Sequence, residues 1–192
     1  MAVPTSPTSG FDELSAVLQR AKAIEPAALA AGAAIVAALR AGGQIFACGN
    51  GGSATDALHL AEELLGRYRG ERRALPAVCL NADVAALTCI GNDYGYERVF
   101  ARQIEALGRP GDVLVGFTTS GNSPNVLAAF VAARERRMPT ILVGGGTGGR
   151  ARGRCDHELI VPSENTARIQ EIHTLILHTW LEQVEAVDWS AR

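Results

Sequence analysis

Apolar side chains along residues 11–41 recur with a helical rhythm, with Leu14, Val17 and Leu18 on one stripe. Pro26 predicts a break or kink. An Ala-rich run from Ala27 to Leu39 follows, with side chains small enough for close helix packing, and Gly42-Gly43 closes this N-terminal helical segment. Beyond it the pattern changes to short apolar runs bounded by glycine and polar residues, at 44–48, 77–80, 113–118, 140–143 and 158–161. Runs this short and apolar throughout predict strands buried on both faces. Between them, 54–67, 96–107, 124–137 and 166 to about 187 are predicted as helices. Short buried strands alternating with helices imply a parallel sheet covered on both sides. The expected architecture is α/β, a three-layer α/β/α sandwich of the flavodoxin-like kind with about five parallel strands. It places residues 1–10, rich in Pro, Ser and Thr, in a disordered tail, and 11–192 in a single domain.

Charge narrows the partners. A formal net charge of −2 and a pI near 6.1 give no electrostatic reason for nucleic acid or an anionic membrane as the main partner. An anionic ligand must therefore be held by local groups. The run 27–39 falls short of the ~20 residues of a membrane span, and the first ten residues carry neither a positive leader nor an apolar run. Cys48, Cys79, Cys89 and Cys155 show no CxxC spacing and read as reduced thiols. The expectation is a cytoplasmic chain with no membrane partner.

Ligands of open α/β sheets bind beyond the carboxyl ends of the strands, so the loops there carry the candidate chemistry. Gly49-Asn50-Gly51-Gly52-Ser53 lies between a predicted strand and a helix, where glycines free backbone N–H groups to face an anion. The run also satisfies a loose dinucleotide fingerprint, but Glu71 precedes the second strand and Asp83 lies too far along to serve it. The second loop, Thr118-Thr119-Ser120-Gly121-Asn122-Ser123, brings hydroxyls and free N–H groups to a helix start, with Pro124 suited to the first turn. Such hydroxyls serve either as helix caps or as anion ligands. Two loops of this kind at one sheet edge favour a phosphorylated ligand. Neither contains a P-loop lysine, so no nucleotide cofactor is expected. The glycine-rich run 144–149 reads as a flexible connector.

His59 and Glu63 are four apart on one predicted helix and share a face. Gln170 and His178 lie on the last helix, about 80° apart around its axis, although phase alone pairs Glu171 with His178 more closely. A carboxylate and an imidazole facing a bound sugar supply the two proton-transfer groups of aldose–ketose isomerisation. Otherwise these residues are a surface pair and a satisfied core histidine. The set His59, Glu63, Gln170 and His178 can also share a divalent metal. His173, about 140° from His178, is expected on a face turned away from that cleft.

Five segments together carry a family resemblance: CGNGGS at 48–53, HLAEELLGRYR at 59–69, IGNDYGYERVF at 90–100, TSGNSPNV at 119–126 and TARIQEIHTLILH at 166–178. Along nearly its whole length after residue 11 the chain resembles the phosphoheptose isomerases of the sugar-isomerase (SIS) fold. The resemblance implies conversion of sedoheptulose 7-phosphate to D-glycero-D-manno-heptose 7-phosphate by a homotetramer. It implies Glu63 as base and His178 as acid, with Ser53, Thr118, Thr119, Ser120 and Ser123 holding phosphate. Asn50, Gly51, Gly52, Glu63, Arg67, Asn92, Asp93 and Gln170 would contact the sugar, Arg67 reaching toward a neighbouring subunit. His59, Glu63, Gln170 and His178 resemble a site for one Zn2+ per subunit. The tetramer core is expected to include 26–40 and the His173 face of the last helix. Thr118 stands where many members have Ser, and Ala167 where some have Asp, which removes any carboxylate role there. The pattern also resembles SIS adaptors that bind a replication initiator; Gly91 and Gly95 fit the isomerases better.

Overall fold

The computed structural model describes residues 9–190. The expected tail falls on residues 1–8, outside the described residues, and on Ser9 and Gly10, where the first helix already begins. Helix α1 (Gly10–Ala21) runs into a 3₁₀ turn, Lys22–Ile24, and then α2 (Glu25–Arg40). The bend therefore precedes Pro26, which sits in the first turn of α2. A proline there lacks only an N–H that the helix leaves unpaired anyway, so it marks a start rather than an interior kink.

Five strands form one parallel sheet: β1 (Ile45–Cys48), β2 (Ala77–Cys79), β3 (Val113–Thr118), β4 (Thr140–Gly145) and β5 (His157–Val161). Their order is β2-β1-β3-β4-β5, the flavodoxin-like order, and the five parallel strands are those expected. The period of two sends alternate side chains to opposite cores. Ile45, Ala47, Val113, Val115 and Phe117 join the core beneath α1, α2, α3 (Gly52–Leu65) and α7 (Thr166–Glu185). Phe46, Cys48, Leu114 and Leu142 join the core beneath α5 (Ala101–Leu107) and α6 (Pro124–Glu135). Gly116 leaves room for Phe130 of α6, which any Cβ there would strike.

Taken together, Gly10–Arg40 is a 31-residue helical stretch long and apolar enough to cross a membrane, with mean hydropathy 1.5. Packing within the chain covers part of it, 33% of its most apolar stretch being buried. The turn at Lys22–Ile24 divides it, and Ala28, Ala31, Gly32, Ile35 and Leu39 of α2 are buried. The Trp180 indole of α7 donates to the Ala28 carbonyl at 2.8 Å, and a side chain on Gly32 would run into Trp180 and Gln183.

Two expectations need correction. Residues 84–94 form a helix, α4 (Val84–Tyr94), that the sequence pattern did not predict, and the 96–107 helix is a 3₁₀ turn, Tyr96–Arg98, followed by α5. The Asp83 side chain caps α4 by accepting from the Ala86 N–H at 2.9 Å. Gly95 ends it at φ 86°, a conformation that costs glycine least. No residue of α4 is fully buried, and only Leu87 and Ile90 pack half-buried against the core, a stripe too short to stand out in sequence. His173, expected at a subunit interface, is wholly buried within one chain, its Nε2 3.2 Å from the Gly144 carbonyl oxygen and its Nδ1 3.7 Å from Asp56. The residues of α7 that turn away from the cleft face the sheet.

Candidate active site

The sheet order reverses direction between β1 and β3, and the two candidate loops leave these neighbouring strands toward opposite helical layers. This is the switch point, where a crevice opens beyond the strand ends. Gly51 turns the first loop at φ 56°, after which α3 begins. No side chain caps the start of α3, and Ser53 is buried in its first turn. In the second loop Ser123 precedes α6 without capping it; its Oγ lies 3.2 Å from the Thr118 hydroxyl. The cap reading of these hydroxyls therefore fails at Ser123. Of the N–H groups that a cap there would take, the Asn125 side chain holds that of Val126 at 3.0 Å, which leaves the Asn125 N–H for an anion, and an anion suits that helix terminus.

Two asparagines that the sequence did not single out, Asn81 and Asn125, hold these loops. Asn50 and Asn125 exchange amide hydrogen bonds at 2.9 and 2.8 Å, and Asn125 also accepts from its neighbour's Val126 N–H at 3.0 Å. Asn81 accepts from the Gly49 N–H at 3.2 Å and donates to its carbonyl at 2.9 Å. Tyr96 donates to the Asn50 Oδ1 at 3.1 Å. The run 144–149, expected to be a flexible connector, instead buttresses the second loop. Arg150 N–H donates to Asn122 at 3.0 Å and Ala151 N–H to the Gly121 carbonyl at 3.0 Å, while a Cβ on Gly121 would strike Gly148.

A second cluster sits toward the C-terminus of α3. His59 Nε2 lies 3.5 Å from Glu63 Oε1. The His59 and His178 rings meet edge to face at 5.1 Å, and Tyr68 stacks on His178 at 5.5 Å with 27° between planes. Burial, then the neighbouring His59, hold the His178 imidazole below its ordinary pKa, while Glu63 and Glu182 oppose the shift. A neutral imidazole carries a proton on one nitrogen and accepts at the other, as a proton shuttle requires.

The structure thus brings His59, Glu63 and His178 together, and Asn50 to Ser53 beside Thr118 to Ser123. Gln170 goes with the loops: its amide lies where a Cβ on Gly52 would come within 2.5 Å. Eight residues separate it from His178 on α7, about 12 Å of helical rise. Glu171, the phase-matched alternative, is taken by Arg168 at 3.0 Å. Arg67 is exposed and donates to the Arg69 carbonyl at 2.9 Å; Asn92 and Asp93 are exposed on α4 and bond to each other at 2.7 Å. Among the described residues, the ligand atoms of His59, Glu62 and Glu63 lie within 4.8 Å of one another. This mixed nitrogen and oxygen set is of the kind zinc takes.

An anion-ready crevice at a switch point, followed along one helix by a carboxylate and a neutral imidazole, defines a sugar-phosphate-handling α/β protein. Residues 11–145 match the SIS domain. Phosphoheptose isomerases of Campylobacter jejuni and Roseiflexus sp. are 49% and 48% identical to the chain. Those alignments cover 91% and 94% of this chain and 94% and 96% of the relatives. The solved phosphoheptose isomerase of Neisseria gonorrhoeae superposes with a TM-score of 0.88 at 44% identity, over 92% of this chain and 95% of that one. The chain belongs to the SIS domain family and, within it, to the phosphoheptose isomerases. It is an isomerase, and the adaptor reading gains no support from these relatives.

Proposed function

We propose that the chain interconverts sedoheptulose 7-phosphate and D-glycero-D-manno-heptose 7-phosphate through an enediol, with the phosphate at the switch-point loops and the reacting carbons at Glu63 and His178. The observation that carries this reading is the spacing of the two clusters. Gly52 and Glu63 lie eleven residues apart on α3, about 16 Å of rise. An extended heptose phosphate spans about 10 Å from C1 to phosphorus, at roughly 1.2 Å per bond along an extended chain. Hydrogen bonds to the phosphate and the reach of the Glu63 side chain, which points back toward the start of its helix, take up the rest.

In the ketose-to-aldose direction, the Glu63 carboxylate takes a proton from C1, and the electron pair left behind forms the C1–C2 double bond. The C2 carbonyl oxygen gains a proton, giving the enediol. His178, neutral and held between the edge-to-face His59 ring and the stacked Tyr68 ring, moves the proton between the two adjacent oxygens. Return of the carbon proton to C2 leaves the aldehyde at C1. Thr118, Thr119, Ser120, Ser123, Ser53 and the start of α6 hold phosphate. Asn50, Gly51, Gly52 and Gln170 face the sugar, joined by Arg67, Asn92 and Asp93.

His59, Glu63 and His178 would hold one Zn2+, with Gln170 completing the set after its side chain turns from Gly52. A bound divalent ion supplies Lewis-acid polarisation of the sugar oxygens. The working chain is a cytoplasmic homotetramer. Supporting this, α4 buries no side chain in one subunit, and Leu18, Leu29 and Leu175 remain exposed on α1, α2 and α7. Incubation of metal-defined protein with sedoheptulose 7-phosphate, followed by product NMR, tests the reading: heptose 7-phosphate is expected, and no turnover would overturn it.

A further inference from the structure

The segment between α3 and β2 is tied down by one buried guanidinium. Arg72 has a side chain only 6% exposed, placed under the last turn of α3. Its Nη2 donates to the Glu63 carbonyl at 2.5 Å; its Nη1 donates to the carbonyls of Leu64 at 2.9 Å, Gly66 at 3.3 Å and Arg73 at 3.0 Å. The last carbonyls of a helix have no partner within it, and a cation there satisfies them. The Arg72 Nε faces Glu185 at 3.7 Å, and the other Glu185 oxygen accepts from the Gly70 N–H at 2.6 Å. Glu185 ends α7, the helix that carries His178. One ion pair thus joins the end of the Glu63 helix to the end of the His178 helix. Between its anchor points the chain delivers Tyr68 onto the His178 ring. Arg69 backs the Tyr68 ring, its guanidinium 4.6 Å from the ring centre and hydrogen-bonded to the Tyr68 hydroxyl at 3.0 Å, and pairs with Glu182 of α7 at 3.1 Å.

We propose that Arg72 and Glu185 form a latch that sets the Tyr68 ring on His178 and fixes the separation of Glu63 from His178, making Arg72, Glu185 and Tyr68 positioning residues for the isomerisation. The proposal rests on Glu63 and His178 being the proton-transfer pair. The phosphate loops lie at the other end of α3 and do not touch the latch. Loosening it should therefore slow the chemical step and leave binding nearly intact, because a misplacement of about 1 Å can cost about 10²-fold in rate. A lysine at 72 keeps the charge but lacks the planar fork that reaches several carbonyls and Glu185 together.

The test measures kcat, KM and the thermal midpoint with sedoheptulose 7-phosphate, at metal content equal to the parent, for Arg72→Lys, Glu185→Gln, Tyr68→Leu and the double variant Arg72→Lys/Tyr68→Leu. Expected are a fall in kcat of about tenfold or more in each single variant and KM within about threefold of the parent. The double variant should be no slower than the worse single one, since both act through one contact. Tyr68→Leu leaves Arg72 and Glu185 in place, so it still reports if the Arg72 variants unfold. Folded single variants with kcat within about twofold of the parent, or a double variant showing the product of the two losses, would overturn the latch. Glu63→Gln, measured alongside, separates the two readings. If it alone loses turnover the latch fails and the proton-transfer pair stands; if it keeps turnover, the pair itself fails.

Discussion

At the switch point the polar side chains hold one another: Asn50 and Asn125 exchange two hydrogen bonds, Asn81 grips both sides of Gly49, and Ser123 meets Thr118. Toward the far end of α3 they do not. His59, Glu63, Tyr68 and His178 meet by ring contacts and a 3.5 Å ion-pair approach, and both His59 and Glu63 remain partly open to solvent. The first region is built before any ligand arrives, as a site for a fixed charge should be. The second keeps a basic carboxylate and a neutral imidazole unsatisfied, as groups that must exchange protons should be. Pre-organisation and reactivity are thus placed at opposite ends of one helix.

The contrast breaks most visibly at Glu63. Glu63→Gln keeps shape and hydrogen-bonding capacity but loses the base, so kcat should fall by about 10²–10⁴-fold with little change in sugar-phosphate binding. Exchange of the substrate's transferable carbon-bound hydrogen with deuterated water should slow with it. Turnover within about tenfold of the parent, at equal metal content, would remove Glu63 as the base. At the other end, Ser120→Ala with Ser123→Ala should raise KM by about 10²-fold or more, since a hydrogen bond to a charged partner contributes roughly 1.5–3 kcal/mol. An unchanged KM in the folded double variant would take the phosphate away from this loop.

The spacing between the regions gives the next test. Fructose 6-phosphate is one carbon shorter and, anchored by its phosphate, brings its reacting carbons about 1.2 Å short of Glu63. Its kcat/KM should lie about 10²-fold below that of the heptulose phosphate. Equal kcat/KM for the two would show that α3 does not measure chain length.

The sequence displayed these two regions unequally. Glycine and hydroxyl clusters between an apolar run and a helix are local signals, and both loops were found where they stand. Strand positions were equally plain, because a parallel strand buried on both faces is apolar at every position. The partners Asn81, Asn125 and Tyr96 act across 32, 75 and 46 residues, and no local pattern announces such pairs. Helical phase put Glu171 on the same face as His178, yet Arg168 occupies it, and Gln170 settles on Gly52 instead. His173 was turned away from the cleft correctly but assigned to a subunit interface. Phase gives a direction around a helix, not what lies in that direction, and here it is the Gly144 carbonyl and Asp56. Helix α4 escaped because it sets only Leu87 and Ile90 half-buried against the core, although Asp83 and Gly95 supplied both of its end signals.

The smallest expected effect lies in the pre-built region and concerns stability more than rate. Asn125 is 2% exposed and serves two partners, Asn50 through its whole amide and the Val126 N–H through its Oδ1. Asn125→Ala leaves both without it. Asn50 sits at the crevice and can turn to water or to Tyr96, so its loss is largely compensated. The Val126 N–H lies in a buried first turn with no such recourse, and a buried donor left unmade costs about 1–3 kcal/mol. For a chain of this length each kcal/mol lowers the thermal midpoint by about 2–4 °C. The variant should therefore melt a few degrees lower while keeping kcat within about threefold, since Glu63 and His178 are untouched. If instead kcat collapses with the midpoint unchanged, the asparagine pair acts on the chemistry directly, and the division between a pre-built binding region and a separate reactive one is wrong.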